Sequence, residues 1–239
     1  MRRCPLCFSD NSTLFFENKK RCLYHCQLCK MVFADANSHL PPNAEQQQYR
    51  RANNKRRQLS QFLFELVSQC ETSEKPLLGL NFGRTLDSKS LRRITQRGHQ
   101  INQYDPSIAP WNKQLMQHYD FICCYRVFEH FRLPNKEWAL ISELIKPGGW
   151  IAISTPLLTE LNGFDKWHHK NNLTHVSFYQ QQSFKYLAES VGFKLLFAAN
   201  DLILVQKPSG SDITRGQTSI VDRDSSFCQQ QCHLSHRDK

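Results

Sequence analysis

Apolar positions along this chain of 239 residues switch repeatedly between short continuous runs and helical spacing. Leu77, Leu78 and Leu80 in "LLGLNFG" form a short buried-strand pattern that ends at Gly83. The next segment, "DSKSLRRITQRG", reads as a helix closed by Gly98, and "HQINQYDP" as a second strand ended by Pro106. "YDFICCYRVFEHF" is strand-like through Cys124, "NKEWALISELIKPGG" is a helix stopped by Pro147 and Gly148, and "WIAISTP" is another strand. "QSFKYLAESVGF" puts Phe184, Leu187, Ala188 and Val191 on one helical face, and "KLLFAAN" and "LILVQKP" close the pattern as a strand pair. Upstream, Leu59, Phe62, Leu63, Leu66, Val67 and Cys70 recur at helical spacing behind "SHLPPNAEQQQ", which reads as a linker.

Alternating strands and helices predict an α/β fold with a largely parallel sheet covered on both faces. In such sheets ligands lie beyond the carboxyl ends of the strands, at a topological switch point. That rule singles out Gly83, Asp105, Tyr125 to His130, and Thr155.

The N-terminal region follows a different pattern. "CPLC" at Cys4 and Cys7 is answered by "CQLC" at Cys26 and Cys29, with 18 residues between the inner pair. Two C-x2-C knuckles at this spacing aim four thiolates at one point, the tetrahedral shell that Zn²⁺ takes in structural sites. Cys22 and His25 lie nearby but complete no such pair. A redox dithiol is the competing reading for one knuckle alone, and the second knuckle favours zinc. Aromatic and branched residues in "STLFFENKKRCLYH" and "KMVFAD" supply the short strands of a ribbon. The expected organisation is a zinc ribbon over residues 1–40, a linker and leading helix over 41–75, a larger domain over 76–207 and a disordered polar tail over 208–239. The tail carries Cys228, Cys232, His233 and His236, a weaker second metal pattern.

Charge changes the picture little. The formal net charge is +10, and residues 1–76 and the remainder carry +5 each. The surface would suit an anionic partner, but no long basic run and no Arg/aromatic repeat marks a nucleic-acid interface, so a solvated basic surface is the reading. No run is long and apolar enough for a membrane span, and the start lacks the apolar core of a secretory signal. Together with cysteines grouped as metal ligands, these features lead to the expectation of a soluble cytoplasmic protein without a membrane partner.

The order "LNFG", "YDP", "YDFICCYRVFEHF", "LIKPGGWIAIST" and "THVSFY" behind a two-knuckle ribbon resembles the class I S-adenosylmethionine-dependent methyltransferases. It is most similar to a bacterial subgroup with an N-terminal zinc ribbon. The resemblance implies a Rossmann-like sheet of seven strands, the last two forming a reversed hairpin. It implies S-adenosylmethionine and Zn²⁺ as cofactors, and methyl transfer to a small-molecule or macromolecular acceptor.

By the same resemblance Asp105 accepts hydrogen bonds from the ribose hydroxyls, and Asn81, Gly83, Cys124, Tyr125 and Glu129 line the cofactor. A turn-forming Asp before Pro106 is the plain alternative for Asp105, and small core residues for the cysteines. Glu129 and His130 match the family's "EH" pair. Phe164, Trp167, His168, Thr174 and His175 match an aromatic and imidazole loop over the substrate. His175 is the first candidate for general base and His130 the second; loop packing and structural hydrogen bonding are the alternatives.

The first loop departs from the family pattern. Asn81 replaces an acidic residue, Gly83 is the only glycine left, and Arg84, Thr85 and Leu86 follow it. In the histidine loop Asn172 and His169 stand where the subgroup has aspartate and tyrosine. Two further readings follow: a methyltransferase-like binding protein without turnover, and a zinc-ribbon adaptor for nucleic acid.

Overall fold

In a computed structural model, residues 2–51, 56–70, 75–83, 85–105 and 113–210 are described. The order of elements is β1 (Ser12–Glu17), β2 (Cys22–Cys26), β3 (Val32–Ala34), α1 (Pro42–Arg51), α2 (Arg56–Cys70), β4 (Leu78–Phe82), α3 (Ser88–Thr95), β5 (Gln100–Tyr104), β6 (Tyr119–Tyr125), α4 (Pro134–Leu144), β7 (Ile145–Ser154), β8 (Ser177–Phe178), α5 (Gln181–Ser190), β9 (Lys194–Ala199) and β10 (Leu202–Gln206). Arg84 and the tail cysteines and histidines lie outside the described residues.

The main sheet has the order β5-β4-β6-β7-β10-β9. Strands β5, β4, β6 and β7 run parallel, and β10 joins antiparallel to both β7 and β9. This is the Rossmann-like α/β fold, with six strands among the described residues where the family resemblance implies seven. The reversed closing hairpin turns at Asn200 and Asp201, both with positive φ, as a two-residue turn matched to strand twist requires.

Strand β6 shows how the core divides. Side chains alternate along a strand, so Phe121, Cys123 and Tyr125 pack with Leu59, Leu63, Leu66 and Val67 of α2 and with Ile94 of α3. Ile122 and Cys124 face the other way, toward Trp138, Ile141 and Leu144 of α4 and Phe184 and Leu187 of α5. The Trp138 indole N–H donates to the Leu187 carbonyl at 2.9 Å and ties α4 to α5.

Two expectations change. The linker stretch contains α1, which starts with Pro42 at its first position and has Glu45 in its first turn, both favourable at a helix N-terminus. Helix α4 stops at Leu144, before Pro147 and Gly148. Ile145 is already extended and begins β7, which carries "KPGG" along and pairs with the end of β10 through Gly148 N–H to Lys207 O at 2.9 Å and Lys207 N–H to Gly149 O at 3.0 Å.

Strands β1, β2 and β3 form a small antiparallel sheet whose fourth strand is β8, from the far end of the chain. Val32 pairs with Phe178 and Phe33 with Ser177, and the Ala34 N–H reaches the Val176 carbonyl at 2.9 Å. Cys4, Leu6, Cys29, Met31 and Phe33 share one buried cluster with Phe128, Phe131, Tyr179 and Phe184. Arg21, 3% exposed, donates to the carbonyls of Lys170 at 2.8 Å, Asn172 at 3.2 Å and His175 at 2.5 Å. Its guanidinium also lies 5.4 Å from the centre of the Phe178 ring. Among the described residues no helix is long and apolar enough to cross a membrane.

Charge-assisted hydrogen bonds contribute more than neutral ones, and removing the donor leaves buried carbonyls unsatisfied. Arg21→Met is expected to cost about 2–4 kcal/mol of stability and to speed amide exchange over residues 168–178. Unchanged unfolding and exchange would show that the guanidinium does not hold this loop.

Candidate functional site

Strand β4 is flanked by β5 on one side and β6 on the other, so the chain changes direction across it. The crevice at the carboxyl ends of these strands is where a doubly wound sheet binds its ligand. A cavity of about 510 Å³ lies there, walled by Asp105 after β5, by Val127, His130, Phe131 and Arg132 after β6, by Glu137 of α4 and by Pro42, Asn43, Glu45 and Gln46 of α1. That volume suits a nucleoside-sized ligand.

Each wall has a local cause. Gly83 ends β4 with φ of +120°, and its N–H donates to the Tyr104 carbonyl at 2.7 Å. A Cβ at Gly83 would stand 3.1 Å from Cβ of Val127, which itself lines the cavity. After β6, Arg126 takes a positive φ of 50° and throws the chain into the short turn Phe128–His130 over the strand ends. Arg126 is held there by an ion pair with Asp201 at 3.3 Å, and Asp201 also accepts the Leu157 N–H at 2.9 Å. Helix α1 is fastened over the cavity by Arg132, which pairs with Glu45 and donates to the Leu40 carbonyl at 2.6 Å. Glu137 keeps one buried carboxylate oxygen without a hydrogen-bond partner, and burial pushes its pKa up.

Behind the His130 wall stands a second group. Glu129, 3% exposed, accepts the Thr155 hydroxyl at 2.9 Å. Nδ1 of His130 lies 2.9 Å from the Thr174 carbonyl, which can only accept, so the proton sits on Nδ1. The His130 and His175 rings meet edge to face with centres 4.9 Å apart, and His169 stacks on His175 at 5.8 Å. His175 is 7% exposed, and its Nδ1 has no partner. Asn172 accepts both the Thr174 N–H at 3.1 Å and its hydroxyl at 2.9 Å, so an amide serves the turn in place of the subgroup's aspartate.

The sequence-predicted residues therefore separate. Asp105 and His130 share the cavity wall, with Gly83 directly beneath Val127. Glu129 and His175 sit behind that wall. Asn81, 1% exposed, is buried on β4. Cys124 and Tyr125 depart from the expectation that they line the ligand. Cys124 points into the apolar core, where burial raises its pKa well above the ordinary thiol value. Tyr125 faces the opposite side, donates to Gln58 of α2 at 3.1 Å and packs on Phe62.

His175 also departs from its expected role as general base. Burial first, then His130, His169, Arg21 and Arg126, push its pKa down to about 2. A base works best with a pKa near the operating pH. Arg132, Glu137 and α1 were not legible as site residues, because only the fold brings them to the cavity.

The four N-terminal cysteines do come together. Cys4 and Cys29 sulfurs lie 3.6 Å apart, Cys7 and Cys26 3.4 Å apart, and all four lie within 4.8 Å of one another. A tetrahedron of sulfurs with metal bonds of about 2.3 Å has edges of about 3.8 Å, so the set fits a tetrahedral divalent metal. The knuckles repeat one hydrogen-bond pattern: Phe8 N–H to Cys4 O and Cys4 N–H to Ser9 O, then Lys30 N–H to Cys26 O and Cys26 N–H to Met31 O. Phe8 and Lys30, each just past its knuckle, both take positive φ. Cys22 is excluded from the shell and donates to Glu17 at 3.2 Å, while His25 lies beside Gln27.

A sequence model of the methyltransferase-domain family matches residues 22–197. The chain belongs to that family. It is also similar to a ubiquinone biosynthesis O-methyltransferase of Nitrosospira multiformis, 30% identical over 77 residues, covering 30% of this chain and 32% of that one. The chain thus matches about a third of the length of this curated relative. Among solved structures it is similar to an O-methyltransferase family protein from Burkholderia thailandensis, with a TM-score of 0.47, 12% identity, and coverage of 70% of this chain and 63% of that one. It is similar too to the same organism's 1,6-didemethyltoxoflavin-N1-methyltransferase, solved with 1,6-didemethyltoxoflavin and S-adenosylhomocysteine, with a TM-score of 0.47, 11% identity, and coverage of 83% and 100%.

For this methyltransferase-family chain, Gly83→Ala is expected to lower unfolding free energy by about 1–2 kcal/mol, since a side chain at positive φ is strained and Val127 must also yield. Chemical denaturation checks it; an unaltered midpoint would show that the turn relaxes without cost.

Proposed function

We propose that this chain is an S-adenosylmethionine-dependent methyltransferase of a nucleophilic small-molecule acceptor. The observation that carries the reading is the Asp105 carboxylate, 4% exposed and placed at the carboxyl end of β5 on the wall of a nucleoside-sized cavity. An ionised carboxylate only accepts hydrogen bonds, which suits paired ribose hydroxyls. Glu137, with its unpartnered buried oxygen, adds acceptor capacity on the same wall and favours a ligand with positive charge. Gly83 lets the β4 turn lie close to the ligand, where any side chain would meet Val127. When bound, S-adenosylmethionine supplies an electrophilic methyl group that passes to the acceptor while the sulfonium leaves as a neutral thioether.

The protein's own part is positioning. Holding a nucleophile in line and close contributes much of the rate in such transfers. Helix α1, tied down by Arg132, closes one side of the cavity against water. His130, fixed in one tautomer by the Thr174 carbonyl, stands where cavity and histidine loop meet, and the acceptor is read as approaching from that loop. The acceptor class extends to macromolecules in sequence terms, and the small-molecule reading is favoured because α1 covers the opening. The four-cysteine cluster is read as a structural zinc ribbon over residues 1–40 attached to the catalytic unit over 76–207. The thiol set suits a reducing compartment, and the cytoplasm is the location proposed.

Calorimetric titration with S-adenosylmethionine tests the cofactor. Asp105→Ala should weaken binding tenfold or more, about 1.4 kcal/mol. Absence of binding to the unaltered protein would replace the enzyme reading with that of a methyltransferase-like protein retained for recognition. Metal analysis tests the ribbon: Cys26→Ser should lose the thiolate-bound zinc and destabilise residues 2–40. Retention of that zinc in the variant would overturn the ligand set.

A further inference from the structure

We infer that Glu129, His130 and His175 form a second metal site, for a divalent first-row transition ion such as Zn²⁺, distinct from the four-cysteine cluster. The inference rests on the methyltransferase reading only for its role, not for its existence. One ligand atom from each of the three residues lies within 4.8 Å of the others. Two imidazoles and one carboxylate are a donor set for such ions, and three protein ligands leave a position for water or an acceptor oxygen.

The surroundings are those of a built site. Imidazoles that bind metals commonly donate their other N–H to a carbonyl, and His130 does so through Nδ1 to Thr174. The carboxylate ligand is itself hydrogen-bonded, by Thr155 at 2.9 Å. His175, 7% exposed, holds an Nδ1 with no partner. A buried polar atom without a partner is costly, and an ion gives the cluster a reason to keep it. The three ligands come from two segments, the turn after β6 and the loop before β8, and the Val176 N–H bonds the Glu129 carbonyl at 2.8 Å to fix one against the other. Since His130 also walls the cavity, an ion there would stand between the cofactor pocket and the histidine loop. It could then lower the pKa of an acceptor hydroxyl or orient it.

Four thiolates hold Zn²⁺ or Co²⁺ more tightly than two imidazoles and one carboxylate, so this site should fill after the cysteine cluster. Titration of the metal-free full chain with Co²⁺ separates the two. The first equivalent should show intense thiolate-to-cobalt charge transfer, and the second only weak ligand-field bands. Glu129→Gln, which keeps size and hydrogen bonding, should lose the second equivalent and keep the first. Cys26→Ser should do the reverse, and His175→Asn should repeat the Glu129→Gln result if it melts as the unaltered protein does. The inference is overturned by a single equivalent in the unaltered chain, by a second equivalent with thiolate character, or by a second equivalent that survives Glu129→Gln. S-adenosylmethionine titration of the same samples keeps the two readings apart. Cofactor binding without a second metal removes only this site, and a second metal without cofactor binding removes only the methyltransferase assignment.

Discussion

The pairing of β3 with β8 is the constraint on which the site depends. It joins the N-terminal cysteine hairpins to a strand 146 residues further on, Val32 against Phe178, and the loop carrying Trp167, His169, Thr174 and His175 leads directly into that strand. A loop of this length has little secondary structure of its own and a large ordering entropy. Here the cost is offset by backbone pairing, by Arg21 on three carbonyls, and by an aromatic cluster in which Phe164 touches Phe15, Trp167 and Phe178. The cysteine knuckles fix β2 and β3, and through them the position of the histidines.

Burial decides the chemistry of those histidines. Solvent-exposed imidazoles would titrate near neutrality and serve as bases. His175 is instead enclosed by other imidazoles and two arginines, and it stays neutral. Neutral imidazole beside a hydrogen-bonded carboxylate is the state in which a metal is bound, whereas His130, at the cavity wall, is the member of the group that a ligand in the cavity meets. The cavity itself has acidic groups on two elements, Asp105 and Glu137, while its Arg132 is engaged by Glu45 of α1. That distribution favours a cationic or hydroxyl-rich ligand over an anionic one.

The parts legible in the sequence are those governed by local rules. Strand and helix periods gave the alternation, Gly83 and Gly98 marked turns with positive φ, and the two C-x2-C knuckles named four sulfurs that meet within 4.8 Å. The place of Asp105 on the cavity wall was legible because cavities in parallel sheets open at the strand ends. Side-chain direction was harder to read. Cys124 and Tyr125 end the right strand, but the first points into the core and the second to α2, and the two-residue period does not say which face is which without the neighbouring helices. Helix α1 was hidden because "PPNAEQQQ" has almost no apolar face; what holds it is Arg132, 87 residues away. Arg21 gave no signal either, since a single arginine after two lysines looks like solvated surface.

These long-range ties bear on how the chain is divided. A ribbon that merely hung from a larger domain would bury its own small core and leave the sheet behind it complete. Here Leu6, Met31 and Phe33 lie in one cluster with Phe128, Tyr179 and Phe184, and the Asn135 side chain of α4 donates to the Leu6 carbonyl at 3.0 Å. Severing the chain near residue 40 would therefore expose apolar surface on both pieces and leave β8 without its partner. A metal held at the cysteines would act on the larger unit by mechanical continuity: β2 and β3 carry the second knuckle between them, β3 pairs with β8, and β8 follows the loop that carries His175 to Glu129 and His130. On this account the pairing of β3 with β8 positions the histidine loop, and an ion at the cysteines would tighten that loop without being required for an ion at Glu129, His130 and His175.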